Sequence, residues 1–81
     1  MIKNRIRELR AKHGIKQEEL AQWVGVRRET IGNLEKGRYN PSLVLAWKIA
    51  WVFQLPIEQV FTVEMPGPPP PLPGQERGEQ P

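Results

Sequence analysis

Glycines at 14, 25 and 37 cut the first half of this 81-residue chain into three short segments, each with apolar residues at helical spacing. Ile2, Ile6 and Leu9 recur at i, i+4 and i+7, which predicts a first helix over 2–13 that Gly14 stops by turning left-handed. A second helix is predicted over 17–24, with Leu20, Ala21 and Val24 inward and Ala21 small enough for close approach of a neighbour. A third runs from about Arg28 to Lys36 on Ile31 and Leu34, and Gly37 ends it. Two short helices joined at a glycine-centred turn form a helix-turn-helix arrangement.

Asn40-Pro41-Ser42 reads as a turn followed by an N-cap, because the serine hydroxyl accepts from an orphan amide at a helix start. The helix it opens, 43–54, is the most apolar stretch of the chain, and Pro56 is placed to start a fifth helix over Ile57–Phe61. From Pro66 onwards the sequence is PGPPPPLPGQERGEQP, with one leucine and no aromatic residue to offset the entropy of ordering. The expected organisation is therefore an all-α domain over 1–65 and a disordered, proline-rich tail over 66–81. The PPPPLP run is read as a solvated spacer in preference to an SH3-type ligand.

A domain of about 65 residues buries only about 60% of its unfolded surface. The chain has no cysteine and one histidine, so neither a disulfide nor a metal site is expected to add stability. That leaves a compact helical core, supplemented by self-association. No cofactor is implied, and nowhere does a nucleophile lie beside a candidate base, so an enzymatic role is not expected. Charge is unevenly placed: residues 1–38 hold ten Lys/Arg against five Glu, whereas the remainder is slightly acidic. A basic half on so small a protein points to a polyanionic partner. The opening MIKNRIRELR has no apolar run, and no stretch is long enough to span a bilayer, so no membrane association and a cytoplasmic location are expected.

The stretch QEELAQWVGVRRETIGNLEKG from Gln17 to Gly37 resembles the phage Cro and repressor (XRE) type of helix-turn-helix transcriptional regulator. The resemblance continues through Arg38-Tyr39-Asn40-Pro41-Ser42-Leu43, Lys48-Ile49-Ala50 and Ile57–Phe61, and covers residues 1 to about 63. It implies a five-helix, lambda-repressor-like domain whose third helix lies in the major groove of double-stranded DNA. It also implies that Gln17 bonds a backbone phosphate, and that Arg10 and Glu35 form an ion pair tying helix 1 to helix 3.

Within such a docking, base-reading residues must avoid the Ile31/Leu34 stripe. Arg28 and Asn33 carry the groups that discriminate bases, Arg bidentate to guanine and Asn bidentate to adenine, and Glu29 can accept from a cytosine amino group. Arg27, Lys36, Arg38, Lys16 and Asn40 join Gln17 as candidate phosphate contacts. Lys16 and Arg27 stand where the family usually has a capping Ser or Thr, a loss of about 1 kcal/mol each. Cations at helix starts also oppose the macrodipole, so stability is exchanged for phosphate attraction. Glu18 and Glu19 suit the first turn of helix 2, and Glu19 can reach back to the Lys16 amide. His13 suits a helix C-terminus.

Val44, Trp47 and Trp51 share one face of the fourth helix at i, i+3 and i+7, a candidate surface for a dimer or another partner. Trp47 stands where the family has an aliphatic residue, which implies core packing for it, and Trp51 has the alternative of folding under the tail or Phe61. Trp23, on the far side of helix 2, is left unassigned by the pattern, with cover of the corner between helices 1 and 2 as one role open to it. The expectation is a sequence-specific regulator, a repressor, binding a palindromic operator as a homodimer. The alternatives are an antitoxin that also binds a small protein toxin, and an interaction module that has lost DNA binding.

Overall fold

The computed structural model describes residues 2–74. In chain order they form β1 (Ile2–Asn4), α1 (Ile6–His13), α2 (Gln17–Val24), α3 (Arg28–Glu35), α4 (Leu43–Phe53), a 3-10 turn (Ile57–Gln59) and β2 (Phe61–Val63). Four α-helices are present among the described residues, with a two-stranded antiparallel sheet in which Ile2 pairs with Val63, Lys3 with Thr62 and Asn4 with Phe61.

Both ends of the domain therefore correct the five-helix expectation. Helix α1 starts at Ile6 because Asn4 diverts the backbone: its carboxamide oxygen accepts from Ile6 N at 3.1 Å, and its Nδ2 donates to the Leu34 carbonyl at 2.8 Å. The Arg5 amide donates to the Val60 carbonyl at 2.9 Å, so the segment before α1 takes its partners from the far end of the chain. The predicted fifth helix shrinks to one 3-10 turn, and the β-branched Thr62 and Val63 continue as a strand, where branching at Cβ is favoured. Pro56 stands just outside that turn with an extended backbone.

The core is one cluster. Ile6 and Leu9 from α1, Leu20, Ala21 and Val24 from α2, and Ile31 and Leu34 from α3 are buried with Leu45, Ala46, Ile49, Ala50 and Phe53 of α4. Val60 and Phe61, at the start of β2, complete it. Ser42 caps α4 by accepting from Leu45 N at 3.1 Å. That helix ends at Gln54, a left-handed residue (φ 57°) at a position that favours glycine. His13 lies in the last turn of α1 with its ring centroid 6.3 Å from that of Phe53.

At the start of α1, Arg5 clasps Glu8 through two nitrogens and holds its carboxyl below the usual carboxylate range by a hydrogen bond and by charge. Residues 64–74 carry no helix or strand and are exposed; the rest of the predicted tail, 75–81, lies outside the described residues. No helix among the described residues is long and apolar enough to cross a membrane.

Asn4 joins three segments through one small side chain. Asn4→Ala is expected to cost about 1–2 kcal/mol, since it orphans the Leu34 carbonyl and the Ile6 amide together. Thermal melts should show Tm lower by about 4–16 °C.

Candidate nucleic-acid interface

Helices α2 and α3 meet at Gly25, whose φ of 79° provides the left-handed turn. Val24 and Ile31 hold the corner from inside, which leaves the start of α3 facing outward. Neither helix has a side-chain cap. Lys16 and Arg27 adopt the extended N-cap backbone, but an ammonium or guanidinium has no acceptor to offer the first-turn amides. Glu19 supplies half of a capping box, accepting from Lys16 N at 2.9 Å. At both helix starts free N–H groups and a long cation face solvent together, a combination that attracts an anion.

Beneath this surface runs a chain of polar contacts. Arg10 donates from Nε and Nη2 to the two Glu35 oxygens at 2.6 and 3.1 Å, and from Nη1 to the Ile15 carbonyl at 3.0 Å. The pair is largely withdrawn from water, with side chains 16% and 6% exposed. Gln17 Nε2 donates to Glu35 Oε1 at 3.0 Å, and Gln17 Oε1 accepts from Arg28 Nη1 at 3.2 Å. The series Arg10–Glu35–Gln17–Arg28 therefore leads from the packed junction of α1 and α3 to an exposed guanidinium at the first position of α3. Gln17 thus joins Arg28 to Glu35.

The other residues singled out in the sequence fall on the same side or nearby. Arg27, Arg28, Glu29, Asn33, Lys36, Arg38, Asn40 and Lys16 are exposed. Arg7, Arg10, Gln17, Gly32, Glu35 and Lys36 line a polar cleft. Arg7 is absent from the sequence-derived set; its only signal was its position one turn before Arg10 on the charged face of α1. A Cβ added at Gly32 would meet Gln17 Nε2 at 3.7 Å, ordinary contact, so no internal clash requires glycine there.

A second surface is apolar. Trp47 is 63% exposed, which corrects the core role expected for it: α4 buries its 45/46/49/50/53 face, and Trp47 lies on the other. Trp51 is 70% exposed, so neither Phe61 nor the described part of the tail covers it. Trp23 of α2 joins Trp47 and Trp51 along a groove that Ala50 and Leu55 also line, so it belongs to this surface. Val44 is also exposed on α4 but does not line the groove.

Removing one partner of a withdrawn ion pair leaves the other charge uncompensated. Glu35→Ala is expected to cost about 3–5 kcal/mol, whereas Arg10→Met with Glu35→Leu should lie within about 1–2 kcal/mol of the unaltered protein. Urea denaturation of the three proteins checks both values.

The helix-turn-helix family model matches residues 6–60. An uncharacterised HTH-type transcriptional regulator of Archaeoglobus fulgidus is 67% identical over 60 residues, 74% of this chain and 86% of that one. The cryptic phage CTXphi transcriptional repressor RstR of Vibrio cholerae is 35% identical over 62 residues, 76% of this chain and 56% of the repressor. Among solved structures, the restriction-modification controller protein C.AhdI of Aeromonas hydrophila superposes with a TM-score of 0.64 at 38% identity, over 68% of this chain and 83% of that one. The α2–α3 pair, its basic outer face and these relatives agree: the chain belongs to the helix-turn-helix family of DNA-binding transcriptional regulators of the phage Cro and repressor type.

Proposed function

We propose that this regulator is a sequence-specific repressor that binds a palindromic operator as a homodimer, with α3 in the major groove. The observation that carries the reading is Arg28, the first residue of α3, exposed yet tethered through Gln17 to Glu35. A guanidinium held in one orientation loses less freedom when it grips the guanine edge. Asn33 and Glu29, exposed on the same helix, read the neighbouring bases.

Gln17, Arg27, Lys36, Arg38, Lys16 and Asn40 hold phosphates, and the uncapped starts of α2 and α3 add their own amides to that grip. The repressor role is supported by the likeness to the CTXphi repressor. Residues 1–65 are the DNA-binding unit in this reading, and 66–81 lie outside it.

Selection from random duplex DNA should enrich a palindrome whose half-sites lie about 34 Å apart, one helical turn. Arg28→Ala is expected to lower affinity by about 1–3 kcal/mol and to relax the preference at one guanine, whereas Lys36→Ala should weaken all sequences alike and reduce the salt slope by about 1. Affinity that barely changes between low and physiological salt would overturn the reading. Arg27→Ser restores a capping side chain, so stability should rise by about 1 kcal/mol while DNA binding weakens. Melting curves and salt titrations on one preparation check both signs.

A further inference from the structure

The tryptophan groove and the proline run are two features that DNA contact leaves unused. Trp23, Trp47 and Trp51 are 52%, 63% and 70% exposed around one groove, with Leu55 and Ile57 along its edge. Their indole N–H groups, which can only donate, have no hydrogen-bond partner among the described residues. The surface therefore offers broad aromatic faces and a few donors, with Gln54 the one further polar side chain on the rim.

The same chain carries the matching chemistry. Pro66 and Pro68–Pro71 have carbonyl acceptors and no amide donors, and such a run favours the extended polyproline II helix whose ring faces pack on aromatic grooves. It lies outside the matched family region, and every residue from Thr62 to Gly74 is exposed. Consecutive prolines also hold the chain extended, which opposes a reversal of the tail onto its own domain within so few residues. Among the described residues none of this tail lines the groove, although its chemistry fits it.

We infer that the Trp23/Trp47/Trp51 groove is occupied by the proline-rich segment 66–73 of a second copy, each copy lending its tail to the other. This rests on the homodimer reading above and names the surfaces that form it. Three tryptophans offer on the order of 100 Å² each beyond what the fold already covers. Two grooves filled by two arms bury on the order of 1,200 Å², at the lower end of what stable, specific pairs use. Being apolar, the association resists salt, in contrast to the grip on DNA.

The test is sedimentation equilibrium of the full chain at low and high salt, without DNA. It compares the unaltered protein, a tail variant (Pro68→Ser, Pro69→Ser, Pro70→Ser, Pro71→Ser) and a groove variant (Trp51→Ala). Trp51 lies outside the core, and circular dichroism verifies that both variants stay helical. The expected result is a salt-insensitive dimer for the unaltered chain and a dimer Kd raised at least about tenfold in each variant. An equimolar mixture of the two variants should recover heterodimer, since one retains a groove and the other a tail. A dimer unchanged in both variants overturns the arm exchange and leaves the homodimer reading standing. A monomeric unaltered chain overturns it too, and tryptophan emission that then shifts red in the tail variant assigns the tail to its own groove. The homodimer reading fails separately if site selection yields a single half-site.

Discussion

The Arg10–Glu35 pair is the constraint on which the outer face of α2 and α3 depends. It joins α1 to the end of α3, and it is withdrawn enough that neither charge tolerates loss of the other. Glu35 has two oxygens and three donors around it, two from Arg10 and one from Gln17. The carboxylate at the end of α3 therefore holds α1 on one side and the start of α2 on the other. Arg28 inherits its orientation from that arrangement through Gln17 alone.

Helix stability and surface chemistry are opposed in this fold. α1, α2 and α3 have eight residues each, below the length at which a helix persists alone in water, so each depends on its buried stripe. With Lys16 and Arg27 in place of capping side chains, the first-turn amides of α2 and α3 are left to solvent. α4, by contrast, is longer, capped by Ser42 and almost wholly apolar. The domain thus concentrates its packing in one helix and leaves α2 and α3 less well supported at their starts.

Where sequence periodicity was paired with a glycine stop, α2 and α3 were legible to within about a residue. The residues that bury, Leu20, Ala21, Val24, Ile31 and Leu34, follow from spacing alone. Ile2 misled because it continues the Ile6/Leu9 period, while the decisive contact is Asn4 with Leu34, a partner thirty positions away. The turn after Pro56 failed for a similar reason: Thr62 and Val63 become a strand only because Ile2 and Lys3 are there to pair with them. Trp47 misled because α4 is apolar on nearly every side, so its buried face is set by what packs on it and not by its own pattern. On the outer face of α2 and α3 the exposed cations were legible by their avoidance of the core stripe. The link from Arg28 to Gln17 was not, since it joins side chains on two helices whose approach depends on the turn at Gly25.

The pairing of Ile2 with Val63 also bears on the order in which the chain folds. Helices α2 and α3 close through contacts between neighbouring segments, which carry small loop-closure costs and form early. The strand pair joins the two ends of the domain and cannot form until the last of it has left the ribosome. A nascent chain that has emerged only through α4 lacks the sheet, and Asn4 and Arg5 have no Val60 or Phe61 to meet. Completion of the domain is thereby coupled to completion of its synthesis.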